Sequence, residues 1–252
     1  MDFTINKYKE LLDELVKSDY SFQTFYEYVT RPLDKVIILR HDVDKRPLHS
    51  LEFALLQYKL GIRGSYYFRI VSGSFDEEII KKIYSLEHEI GYHYETLDTS
   101  KGNIELAYQE FCRNLDLLRK IIPVRTICMH GSPTSRFDNS AIWDHYSYKQ
   151  IDIVAEPYFD IDFNKVFYLT DTGRRFDGEK VSIRDKPKQK INSKWPSYHS
   201  TTDILKALHN KSLPNVILIT IHPQRWTNNW VLWINELYMQ NLKNMFKRYL
   251  AK

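Results

Sequence analysis

Short runs of β-branched and aromatic residues recur along this chain, with helical patterns between most of them. No other feature limits the fold as much, because strand–helix alternation leads to a mostly parallel sheet with helices packed on it. The runs are Val36–Leu39, Ser65–Arg69, Ile90–His93, Thr126–Met129, Ile151–Ala155, Val166–Leu169 and Val216–Ile221. Each has the usual length of a strand. Among the helical patterns, Leu51, Ala54, Leu55 and Tyr58 mark one helix, and Gly61 ends it. Ser74 with Glu77 reads as a capping box ahead of Ile79, Ile80 and Ile83. Ile104, Tyr108, Phe111, Leu115, Leu118 and Ile122 line one helix face that Pro123 terminates. Asn139–Tyr146 reads as a short helix, Thr202–His209 as another and Trp226–Leu250 as a long closing one. Ahead of the first strand, Tyr8–Val16 is amphipathic, with Leu11, Leu12 and Leu15 on one side. About seven strands point to an α/β fold with an incomplete or distorted barrel rather than a flat open sheet. No G-x-G-x-x-G follows the first strand, which argues against a dinucleotide fold.

The 252 residues read as a single domain, 1–252, with a helical extension over 1–30. Lys plus Arg number 36 against 32 Asp plus Glu, a surplus too small to call for a nucleic-acid partner. The longest apolar runs fall far short of the roughly 20 residues that span a bilayer. The N-terminus lacks an apolar leader, and two cysteines cannot build a disulfide framework, so the expected location is cytoplasmic. One irregular stretch stands out, Asp171–Ser200, a long basic loop over 171–200. It holds Arg174, Arg175, Lys180, Arg184, Lys186, Lys188, Lys190 and Lys194. It is either a solvated excursion or a groove wall that meets a polar or anionic substrate.

Active sites of parallel α/β folds gather beyond the C-terminal ends of the strands. Five strands here run into polar or ligand-type residues: Arg40-His41-Asp42-Val43-Asp44, Tyr94-Glu95, His130-Gly131-Ser132-Pro133, Thr170-Asp171-Thr172-Gly173-Arg174 and His222-Pro223. Asp42 and Asp44 share one side of an extended segment. Two close carboxylates repel, and a divalent metal would resolve the conflict. The alternative is a pair that caps a turn before Pro47. His93 and Glu95 have the same period-two relation. His130 is either a turn cap or a ligand or substrate contact. His222, fixed by Pro223 at the end of the most hydrophobic strand, is poised to donate a proton. His49, His88, His145, His199 and His209 read as structural or solvent-facing, and His41 stays undecided. Trp226, Trp230 and Trp233 read as a packing stripe on the last helix, with Trp226 near enough to His222 to line a pocket.

Leu39-Arg40-His41-Asp42-Val43-Asp44 resembles the first motif of the polysaccharide deacetylase (NodB-homology) superfamily, in a divergent branch with His-Asp-Val-Asp. Glu89-Ile90-Gly91-Tyr92-His93 stands where that superfamily has its second motif, and Leu218-Ile219-Thr220-Ile221-His222-Pro223 resembles its last. The resemblance spans about Val36 to Arg225. It implies a distorted (β/α)7 barrel and a metal-dependent hydrolase that removes an N-acetyl or O-acetyl group from a carbohydrate or sugar conjugate. The implied cofactor is a divalent metal ion, zinc foremost. Carried over by motif, Asp42 is the general base, Asp44 and His93 are metal ligands and His222 is the general acid. The family's second histidine of motif two falls here on Leu97, which cannot bind metal. The third ligand is then His130, Glu95 or Asp98, in that order. Arg40 or Arg174 stands in for the arginine that orients the base. The expected substrate contacts are Arg40, Glu95, Asp171, Arg174, Trp195 and Trp226. Two other readings remain: a metal-dependent hydrolase of another non-peptide C–N bond, and a non-catalytic carbohydrate-binding relative.

Overall fold

The computed structural model of the chain describes residues 1–131, 135–177 and 194–250. Seven strands form one sheet: β1 (Ser21–Gln23), β2 (Val36–Val43), β3 (Ser65–Phe68), β4 (Glu89–Tyr94), β5 (Ile127–Met129), β6 (Phe167–Thr170) and β7 (Val216–Ile221). Their order is β5-β4-β3-β2-β7-β6, with β1 added beside β2. Every pairing is parallel. Among the described residues β5 and β6 do not pair, so the curled sheet is an open barrel. The central strand, β2, is buried along its whole length. Its alternation sends Arg40 and Asp42 to one face and His41 to the other.

Two strand expectations need correction. Ile151–Ala155 is not a strand. Tyr148–Ile151 forms a 3-10 turn closed by Asp152 in the left-handed region (φ 57°), and only Ala155 bridges to Thr126. The seventh strand is instead β1, within the segment expected to be a helical extension. It pairs with Val36–Ile38 while β3 takes Arg40–Val43 of the same edge.

The helices are α1 (Ile5–Val16), α2 (Phe25–Thr30), α3 (Pro47–Lys59), α4 (Glu77–Ser85), α5 (Thr96–Thr99), α6 (Ile104–Arg119), α7 (Pro157–Asp160), α8 (Thr201–His209) and α9 (Trp230–Leu250). α1 buries Ile5, Tyr8, Leu11, Leu12 and Leu15, and α6 buries Ala107, Phe111, Leu115 and Leu118, the spacing of a one-sided core face. The α4 cap is Asp76, whose carboxylate accepts from the Ile79 N–H at 3.0 Å. Ser74 does other work than the capping box expected of it: its hydroxyl donates to the Val43 carbonyl and accepts from the Arg69 N–H, tying the ends of β2 and β3 together. The expected helix Asn139–Tyr146 is a 3-10 helix over Asn139–Asp144. The last helix starts at Trp230 rather than Trp226, because the Asn229 side chain accepts from the Val231 and Leu232 N–H groups. A 3-10 turn over Pro223–Arg225 precedes it. Trp226 is therefore fully buried while Trp230 is 68% exposed, and the three tryptophans do not form one packing stripe. No described helix is long and apolar enough to cross a membrane.

Candidate metal centre

β2, β4 and β5 carry three side chains to one point at their C-terminal ends. Asp44 Oδ1 lies 3.6 Å from His93 Nε2 and 3.5 Å from His130 Nε2. One ligand atom from each residue falls within 4.8 Å of the others. Each is aimed by a neighbour. His93 Nδ1–H donates to the Cys128 carbonyl at 2.9 Å, across the β4–β5 register. His130 Nδ1 lies 3.1 Å from Glu95 Oε2. Arg69 grips both Glu95 oxygens and donates through Nη1 to the Asp44 carbonyl at 3.2 Å. Gln224 donates to Asp44 Oδ2 at 2.9 Å and leaves Oδ1 turned toward the imidazoles.

The donor set fits a divalent cation. Asp44 Oδ1 is buried and accepts no hydrogen bond, which is costly unless a positive charge meets it. Two imidazoles and a carboxylate are ligands that zinc and its neighbours accept. Metal-binding histidines ordinarily donate their other ring N–H to a carbonyl or carboxylate; His93 does so to the Cys128 carbonyl, and the Glu95 carboxylate lies 3.1 Å from His130 Nδ1. Burial would raise the Asp44 carboxyl, but His93, His130 and His222 around it hold it well below the usual carboxylate range. A second grouping, Asp42 with His93 and Cys128, is less suited, because Arg40 occupies both Asp42 oxygens.

Asp42 projects beside this point, its Oδ2 4.0 Å from His93 Nε2. Arg40 Nε and Nη2 donate to its two oxygens at 3.0 and 2.7 Å. Arg40 also donates to the Tyr158 hydroxyl at 3.1 Å and is wholly buried. Burial opposes the Asp42 charge, but Arg40 above all, with His93 and His222, keeps the carboxyl below its ordinary pKa.

The third group comes from β6 and β7. His222 Nδ1–H donates to Asp171 Oδ1 at 2.6 Å. Asp171 also accepts from the His222 backbone N–H at 3.0 Å, from Arg225 at 3.0 Å and from the Trp226 indole at 2.7 Å. With Nδ1 committed, Nε2 is the nitrogen left to exchange a proton. Burial works against the Asp171 charge, and His222 and Arg225 outweigh it, so the carboxyl stays below its usual range. His41 of β2 is the register partner of Ile221 of β7, and Gln224 reaches Asp44, so the exit that carries His222 lies beside the one that carries Asp42 and Asp44.

Several expected contacts lie elsewhere or do a different job. Arg40 is buried against Asp42 and cannot meet a substrate. Glu95 backs His130 and is gripped by Arg69; despite burial these two draw its carboxyl down to about 2. Asp98 is engaged by other partners: it binds the Ser135 hydroxyl and accepts from Asn139 Nδ2 at 3.0 Å. Asp171 and Trp226 are wholly buried beneath His222. Arg174 lines a separate cavity. Trp195 lies at the opposite end of the strands, its indole donating to the Phe163 carbonyl at 3.0 Å and its ring against Phe167 at the start of β6. His41 points out of the barrel, stacked on Tyr66 with centroids 4.1 Å apart. Ser132, Pro133 and the basic residues Lys180 to Lys190 lie outside the described residues. Sequence reasoning missed Arg69 and Gln224. Arg69 ends a strand as the recognised residues do, but it was absorbed into the hydrophobic run before it.

No family model matches the chain, and no curated protein matches it. Solved structures do resemble it: a CE4 family pseudoenzyme from Bacillus anthracis (12% identity, 86% of this chain, TM-score 0.45), and a mutant of a CE4 family pseudoenzyme described as having restored enzymatic activity (11% identity, 86% of this chain, TM-score 0.45). The chain spans 63% and 65% of the length of those two structures, less than two thirds.

Proposed function

We propose that the chain is a metal-dependent hydrolase that removes an N-acetyl or O-acetyl group from a carbohydrate or sugar conjugate, as a divergent polysaccharide deacetylase. The observation that carries this reading is the convergence of Asp44 Oδ1, His93 Nε2 and His130 Nε2 beside two prepared proton-transfer groups. Asp44, His93 and His130 would hold the metal, zinc foremost, with His130 taking the part that Leu97 cannot. When bound, the ion supplies Lewis acidity at the scissile carbonyl and at the attacking water.

The chain's own groups do the rest. Asp42, ionised and fixed by the Arg40 fork, takes the water proton on its carboxylate. His222 delivers a proton from Nε2 to the leaving nitrogen or oxygen, which is a poor leaving group without it. Asp171 keeps the His222 Nδ1–H in place and offsets the charge of the imidazolium. Acid–base assistance of this kind contributes about 10²–10⁴-fold. The same groups serve another non-peptide C–N bond equally well, because a fold does not select a substrate. Side-by-side assays of N-acetyl sugars, O-acetyl sugars and small amides separate the two.

Metal content tests the reading. The full chain, stripped and then reconstituted with zinc, should retain a stoichiometric ion after desalting. His93→Ala and His130→Ala should each lose it. A wild-type chain that keeps no ion after reconstitution would overturn the reading and favour a non-catalytic carbohydrate binder.

A further inference from the structure

α9 packs on the protein along one side only. Its inner side is fixed: the Trp233 indole donates to the Asp2 carbonyl at 2.8 Å, Asn244 donates to the Gly173 carbonyl at 3.1 Å, and Gln240 is buried. Its outer side carries Trp230, Val231, Ile234, Tyr238, Met239 and Met245. All six are exposed, Trp230, Tyr238 and Met245 by 68%, 64% and 62%. Together they present on the order of 700 Å², more than the largest apolar patch of a typical monomer, about 300–600 Å².

Spacing and charge say what fits this face. Val231, Ile234, Tyr238 and Met245 follow one another at steps of three, four and seven residues, with Asn241 at the step between the last two. That is the seam with which one helix packs on another. From Trp230 to Leu242 the only charged residue is Glu236, which faces Lys45 at 3.6 Å and whose side chain is 11% exposed. A helix that lies on a lipid surface is rich in Lys and Arg, and this stretch has neither. A second copy of the same uncharged row meets it without repulsion.

The cations of α9, Lys243, Lys247 and Arg248, all follow that stretch. Parallel pairing would set the three against the same three. Antiparallel pairing about Tyr238 brings Val231 opposite Met245 and sets the cationic end of each helix against the neutral Asn228-Asn229 end of the other. Such a two-fold contact uses the same patch on both copies. Its area, on the order of 700 Å² on each copy, approaches the about 800 Å² per partner of a standard interface. We infer that α9 is a self-association surface, through which two copies of the chain pair helix against antiparallel helix about Tyr238. The pairing is independent of the reading of the metal centre.

Light scattering of the full chain during gel filtration, at micromolar concentrations, tests it. The wild-type chain should elute with twice the mass of the 30.2 kDa chain. Ile234→Lys and Tyr238→Lys, both at exposed positions, should halve that mass while circular dichroism stays that of the folded chain. Disulfide trapping tests the orientation against the wild-type chain, which keeps Cys112 and Cys128. Tyr238→Cys should cross-link two chains on mild oxidation, and Val231→Cys should not. A monomeric wild-type chain, or a dimer that survives both lysine variants, overturns the proposal. Cross-linking through Val231→Cys overturns the antiparallel arrangement. A monomeric chain that floats with phosphatidylglycerol vesicles, and ceases to in Ile234→Lys, overturns the proposal by giving the face to lipid instead.

Discussion

Arg40 and Asp42 show how much a single buried pair decides at this site. Both are nearly sealed from solvent, with side-chain exposures of 0% and 5%. Removing one partner leaves the other as an uncompensated buried charge, which costs about 3–5 kcal/mol. Arg40→Met should therefore destabilise the fold by about that amount in equilibrium denaturation. The double variant Arg40→Met/Asp42→Leu should recover much of the loss. A single variant within about 0.5 kcal/mol of wild type would show that the pair is not buried as described. The histidines give a pH dependence at the same scale. His88 accepts from the Gly64 N–H through Nδ1 and donates through Nε2 to the Ala54 carbonyl, so it is held neutral. His41 likewise donates to Ser65 and accepts from Gln57. Burial lowers their pKa values to about 4 and about 3, against 6.5 ordinarily. The unfolded chain then binds more protons than the folded one below about pH 6.5. Their contribution is fully present above that pH and is lost as the pH falls toward 4, by about 1.4 kcal/mol per pH unit for each group. His88→Gln should flatten the slope of stability between pH 6.5 and 4.5. An unaltered slope would contradict a neutral buried imidazole.

At the scale of elements, β4 explains why a glycine sits two residues before His93. A Cβ on Gly91 would lie 2.3 Å from the Tyr67 ring, which crosses the barrel interior to hydrogen-bond with Thr126 at 2.9 Å. Gly91→Ala should cost about 1–3 kcal/mol, the range for overpacking a filled core, and should displace His93 along with β4. Thermal denaturation and metal affinity measured on the same variant check both effects; a variant as stable as wild type would show that Tyr67 yields freely. The strand ends of the rim were legible in sequence because a hydrophobic run that stops at Asp, His or Glu marks where a parallel strand leaves the core. The partnership of each rim residue was not. Arg40 and Arg174 were equal candidates to orient the base, and only the β2 alternation puts Arg40 on the face of Asp42. β1 was invisible because three residues carry no period. Ile151–Ala155 misled because its apolar pattern gives no sign of the left-handed Asp152.

For the whole molecule, seven parallel strands bring residues from distant parts of the chain to one end. β2 and its exit bring Asp42 and Asp44, β4 brings His93, the exit of β5 brings His130, and the exits of β6 and β7 bring Asp171 and His222. That arrangement was readable as a class of fold from the alternation alone. The third ligand was not, because His130 is 37 residues from His93 and meets it only through the β4–β5 pairing. The proposed chemistry requires the metal and both proton-transfer groups together. The most direct measurement is acetate release from N-acetylated and O-acetylated sugar oligomers by the stripped chain before and after zinc is restored. The account predicts no release from the stripped chain, release on restoration, and loss of about 10²–10⁴-fold in His222→Ala. Equal release with and without metal, or full activity in His222→Ala, would contradict it.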